Sequence, residues 1–120
     1  MPIEVAVDTS FLMFMARRKV PIGMLYDVMD RPIRLYTSKG VVHELETLSR
    51  SARSTSQYAG LALMLLKRSG IKVTSNTGNP DDWLLTRPLI ATTDMRLARK
   101  AHAKGIRVIS ITKSNRVVIK

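Results

Sequence analysis

The chain has 120 residues, with 20 Lys and Arg against 9 Asp and Glu, a formal net charge of +11. That length suits one domain over residues 1–120, and a hydrophobic share of 45% is enough for a packed core and too high for a disordered basic tail. The absence of cysteine excludes a disulfide scaffold, a zinc ribbon and a thiol nucleophile, and the longest apolar runs, such as 61–66, are too short to span a bilayer.

Ile3-Glu4-Val5-Ala6-Val7 reads as a short buried strand. Asp8-Thr9-Ser10 then supplies good helix-capping side chains, and a helix is expected from Phe11 to Met15. Pro21 opens a second helix to about Asp30, which Arg31-Pro32 ends; its Met24 and Met29 make it apolar enough for a homodimer contact. A second strand covers 33–36, and Thr37 or Ser38 caps a helix over about 39–48. Residues 49–56, serine-rich with Arg50 and Arg53, read as a mobile loop. Ser54 and Gln57 then have capping-box spacing ahead of a helix that reaches Ser69 and stops at Gly70. A third strand over 71–74 and a loop lead to Asp81 or Asp82, either of which could cap a short helix ended by Pro88. The fourth strand is 89–92, Asp94 opens a helix that Gly105 closes, and strands follow at 106–109 and 116–119. Alternating strands and helices predict an α/β fold with a parallel sheet covered on both faces, its ligands bound beyond the carboxyl ends of the strands.

The acids are few enough to place one by one. Asp8 follows the first strand and Asp94 the fourth, so both sit at the carboxyl edge of the sheet. Asp81 and Asp82 start a helix that begins near the same edge, and Glu44 lies two turns into the helix after strand two. Glu46 is on the opposite side of that helix from Glu44. Each aspartate also stands where capping alone would favour it. Their convergence needs more, because two carboxylates ~4 Å apart repel by roughly 4 kcal/mol at an effective dielectric near 20. A hard divalent cation, Mg²⁺ or Mn²⁺, would hold such a group together and support phosphodiester cleavage. From Met95 to Lys120 there are eight Lys and Arg and no acid, which suits phosphate contact. Arg96, Arg99, Lys100 and Lys104, with Arg50 and Arg53 of the loop, are the candidate RNA-binding residues. His43 and His102 fall in no motif that needs a base, and no phosphate-binding glycine motif is present. The first residues carry no basic stretch followed by an apolar one, so a cytoplasmic location is expected.

Val7-Asp8-Thr9-Ser10-Phe11-Leu12, Val41-Val42-His43-Glu44-Leu45-Glu46-Thr47-Leu48, Asp81-Asp82-Trp83-Leu84-Leu85 and Ala91-Thr92-Thr93-Asp94-Met95-Arg96-Leu97 resemble, in order, the acidic motifs of the PIN-domain nucleases. The closing Gly105-Ile106-Arg107-Val108-Ile109 is similar too, so the likeness covers nearly the whole chain. The run from Met24 to Asp30, the second motif and the Asp81-Asp82 doublet look most like the Fcf-type branch, the small-subunit ribosomal RNA processing endonucleases. The resemblance implies a three-layer α/β/α fold with a parallel sheet of order 3-2-1-4-5. It implies that Asp8, Glu44, Asp82 and Asp94 are the catalytic, metal-binding acids, supported by Ser10, Thr93 and Asp81, with Asp81 as the cap. It implies a Mg²⁺- or Mn²⁺-dependent endoribonuclease acting on precursor ribosomal RNA, with ribosome assembly factors as partners. One departure stands out: only eleven residues separate Asp82 from Asp94, fewer than is usual in the family. Two other readings stay open. One is a VapC-type toxin ribonuclease, which shares the chemistry. The other is a non-catalytic RNA-binding assembly factor, to which the shortened helix points.

Overall fold

The computed structural model describes residues 2–19, 25, 27, 29–112 and 116–120. The strands are β1 (Ile3–Val7), β2 (Ile33–Ser38), β3 (Lys72–Thr74), β4 (Leu89–Ala91), β5 (Arg107–Ile111) and β6 (Val117–Ile119). The helices whose bounds fall within the described residues are α1 (Thr9–Arg18), α2 (Lys39–Ser49), α3 (Ser56–Arg68), α4 (Pro80–Leu84) and α5 (Met95–Ala103). The expected helix over Pro21 to Asp30 falls largely on residues outside those described.

The six strands form one sheet of order β3-β2-β1-β4-β5-β6. The first five are parallel in the expected 3-2-1-4-5 order, and β6 adds an antiparallel edge strand beside β5. The central strands are apolar on both faces because both faces are covered. On β1, Val5 and Val7 point into one core with Phe11, Leu12 and Met15 of α1, Val41 and Leu45 of α2, and Ala59 and Leu66 of α3. Ala6 points the other way, into a core with Trp83 and Leu84 of α4 and Leu97, Ala98 and Ala101 of α5. Three layers result. In the smaller core, the Trp83 ring meets Tyr36 of β2 edge-on at 5.7 Å and 90°.

Local chemistry sets where each helix begins. Asp8 caps α1, Ser38 caps α2 and Asp94 caps α5. Gly70 and Gly105 follow α3 and α5 with φ of 63° and 78°, the left-handed conformation that closes a helix. The expected capping box at Ser54 and Gln57 does not form. Thr55 precedes α3 with helical dihedrals and no side-chain cap, and a backbone turn from Arg53 to Tyr58 satisfies the first N–H groups instead. Gly40 determines how the loop between β3 and α4 lies. Its N–H donates to Asn76 O at 3.0 Å, and a Cβ there would collide with the Gly78 carbonyl oxygen. The loop can rest on the start of α2 only because residue 40 has no side chain.

Candidate active site

Asp8 is placed by the sheet before it is placed by α1. Its N–H donates to Ala91 O at 3.1 Å, which fixes it where β1 and β4 diverge, the switch point of the sheet. Its carboxylate accepts the Phe11 N–H at 2.8 Å as the α1 cap. Ser10 Oγ lies 2.9 Å from both carboxylate oxygens, and the Thr92 hydroxyl donates to Oδ2. A hydroxyl has one proton to give. With both protons turned toward Asp8, the hydroxyl oxygens accept: Ser10 from the Thr93 N–H at 3.2 Å, Thr92 from the Asp94 N–H at 3.0 Å. A continuous chain of hydrogen bonds thus runs from the β4–α5 turn into the Asp8 carboxylate, each bond polarising the next.

These donors favour the ionised carboxylate, and burial opposes them. Asp8 is 5% exposed. Desolvation, with a smaller contribution from the charge of Asp81, raises its pKa from 3.8 to about 6 against the donors from Thr92, Phe11 and Ser10. Asp81 is raised as well, first by burial and then by the negative charges of Asp94, Glu44 and Asp82, with Lys100 working the other way. Acids carried on four separate connections therefore act on one another at one rim. Glu46, by contrast, faces away, 4.0 Å from His43 Nδ1 and 3.9 Å from Arg50 Nη2.

Three placements differ from the sequence reading. Neither Asp81 nor Asp82 caps α4. Asn79 does, its Oδ1 accepting the Asp82 N–H at 3.1 Å, because Pro80 takes the first helical position, where its missing N–H costs nothing. Asp81, read as a support, is the acid on which the charges of Glu44, Asp82 and Asp94 converge. Thr93 reaches the network through its backbone N–H alone, and the hydroxyl on Asp8 belongs to Thr92, which the sequence reading missed. Two adjacent threonines at a strand end look alike in sequence, and the residue whose side chain turns inward is set by where β4 stops. The choice between cap and site dissolves for Asp8 and Asp94. Asp94 Oδ1 accepts from Arg96 N at 2.9 Å and Leu97 N at 3.3 Å, and its charge still reaches Asp81.

The basic candidates divide. Arg96, Arg99 and Lys100 lie exposed on α5, which starts at the acidic edge, whereas Lys104, exposed at the far end of that helix, stands toward the start of β5 and away from the acids. Arg53 is exposed in the loop before α3. Arg50 stands against Glu46, so its charge is partly spent within the chain. His43 and His102 are exposed.

No family model and no curated protein matches the sequence. Among solved structures, the PIN domain endonuclease Utp24 superposes with a TM-score of 0.81 at 22% identity, covering 99% of this chain and 92% of that one. The fold is that of a PIN domain. A domain of a functionally unknown protein from Methanocaldococcus jannaschii DSM 2661 shares it, with a TM-score of 0.65 at 18% identity over 91% of each chain.

Among the described residues, no three His, Cys, Asp or Glu side chains stand close enough to hold a metal ion as they are. The donor chemistry nevertheless suits one. The acids of the rim offer carboxylate oxygens, the ligands of hard divalent ions, and the repulsion that adds to burial in raising Asp81 is what a positive ion would offset.

Proposed function

We propose that the chain is a metal-dependent endoribonuclease that cleaves phosphodiester bonds during maturation of small-subunit ribosomal RNA, as its resemblance to the Fcf-type branch implies. The observation that carries the nuclease reading is the placing of Asp8, Glu44, Asp81, Asp82 and Asp94 toward one edge of the sheet, near enough to act on one another's charge but not gathered within one ion's reach, in a protein with net charge +11. Asp8, Glu44 and Asp94, with the Asp81-Asp82 pair, would hold Mg²⁺ or Mn²⁺. When bound, such an ion supplies an activated water and neutralises charge developing on the phosphate. The remaining work belongs to the chain. Ser10 and Thr92 aim the Asp8 carboxylate and keep it from turning. Arg96, Arg99 and Lys100 line the adjacent helix and hold the RNA backbone, which Lys104 at the far end of that helix meets further along the strand. No protein nucleophile is required.

The test is cleavage of a small-subunit rRNA precursor fragment in Mn²⁺, Mg²⁺ or EDTA, by wild type and by Asp94→Asn. The expected result is metal-dependent cutting that the variant loses by at least roughly a hundredfold, at a mapped site within the precursor. Cutting of unrelated RNAs in preference would favour the toxin reading. Tight binding without cutting, equal in both proteins, would favour the non-catalytic assembly factor, a reading that gains from the separation of the acids.

A further inference from the structure

A second feature opens from the same rim. A groove of about 250 Å³ runs between α1 and the start of α3, lined by Ser10, Met13, Phe14, Arg17, Thr55, Tyr58 and Thr93. Its rim end is made by Ser10, one hydrogen bond from Asp8, and by Thr93, which donates to Ser10. Its far end is aromatic and cationic: the Arg17 guanidinium lies 5.5 Å from the centre of the Tyr58 ring.

We propose that this groove is a subsite for one unpaired nucleobase of an RNA strand whose neighbouring phosphate lies at the acidic rim. The proposal deepens the nuclease reading and rests on it for the position of that phosphate. Four features select this occupant. The groove is smaller than the roughly 300–1,000 Å³ of a drug-sized ligand pocket, so it takes a single ring system and leaves sugar and phosphate outside. Its walls pair a phenol ring and a guanidinium plane with apolar Met13 and Phe14, the surfaces on which bases stack. Thr55 and Thr93 add polar side chains to its lining, while the Ser10 hydroxyl is engaged with Asp8. The groove shares Ser10 with the hydrogen-bond network of Asp8, so a strand engaged at the rim has a base to place beside it. Neither Tyr58 nor Arg17 belongs to an acidic motif, which is why the sequence drew no attention to them.

The test separates binding from cleavage. Binding of fluorescent oligouridylate is compared with binding of a ribose-phosphate chain of equal length lacking bases, by anisotropy in EDTA. Wild type is expected to prefer the base-bearing chain. Tyr58→Ala should lose roughly tenfold of that preference, the range of one base–aromatic stack, while Tyr58→Phe retains it. Exposed Arg17→Ala serves as a second variant should Tyr58→Ala fold poorly, and is expected to reduce the preference in the same direction. Photocrosslinking of 5-iodouridine RNA to wild type should label Tyr58 or Phe14. An unchanged preference in folded Tyr58→Ala, or crosslinks confined to other elements, would overturn the proposal. A chain that cuts no RNA yet keeps a Tyr58-dependent preference loses the nuclease reading and keeps the subsite. A chain that cuts RNA with no preference for bases keeps the nuclease reading and loses the subsite.

Discussion

Asp8 holds a charge that its surroundings oppose. Three donors grip the carboxylate, yet burial leaves its pKa near 6, well above the ordinary value of 3.8. Because the folded value lies above the unfolded one, the ionised carboxylate weakens the fold. That penalty is absent below about pH 4 and complete once pH has risen through 6. The interval from 3.8 to about 6 corresponds to on the order of 3 kcal/mol. Asp8→Asn cannot ionise and keeps the shape of the side chain. In EDTA, its stability relative to wild type is expected to climb between pH 4 and pH 7 by an amount of that order, followed by urea unfolding at each pH. A gap independent of pH would show that burial does not control this carboxylate. The same reasoning separates the doublet on α4. Asp81 receives the charges of Asp94, Glu44 and Asp82, so Asp81→Asn should weaken Mn²⁺ binding more than Asp82→Asn does, as read by calorimetric titration of each variant.

At the scale of the element, α4 is five residues long and carries two of the rim acids. So short a helix cannot fix its own position, and its docking rests on what precedes it. Gly40 accepts the 76–78 loop against the first turn of α2, and Asn79 then caps α4. Gly40→Ala should therefore push the loop outward, costing roughly 1–3 kcal/mol as overpacking does. It should also weaken Mn²⁺ binding although residue 40 carries no donor, a pairing of effects that parallel melts and metal titrations would reveal. Elements of this kind mark the boundary of what the sequence discloses. The strands, the parallel sheet and the acids at strand ends could be read directly, because strand periodicity and helix caps are local signals; the order of the strands came only with the resemblance that the acidic motifs carry. The role of Thr92 and the Tyr58 groove could not, because each depends on where one residue's backbone stops relative to a distant one: β4 ending at Ala91, α3 starting without its expected box. The cap of α4 was missed despite a local signal, Asn79 directly before Pro80. Helix spacing did separate Glu44 from Glu46: the charge of Glu44 acts on Asp81, while Glu46 stands beside Arg50.

Across the whole molecule, charge is sorted. The acids share the carboxyl edge of the sheet, while α5 beside them presents Arg96, Arg99 and Lys100 on its exposed side. RNA binding in EDTA should fall steeply with salt. Each of Arg99→Ala and Lys100→Ala should lower the slope of log K against log salt by about 0.7 if it removes one phosphate contact; an unchanged slope would place the strand elsewhere. The antiparallel β6 has a further effect on this polarity. Strands β1 to β5 all run toward the acids, and β6 runs back, Lys120 exchanging hydrogen bonds of 3.0 and 2.8 Å with Val108 near the start of β5. Ile3, at the other extremity of the described chain, starts β1 at that same edge. Both extremities therefore lie at the pole opposite the acids, and a tether at either one, be it an affinity tag or a resin, would grip the molecule from behind with its acidic mouth facing outward.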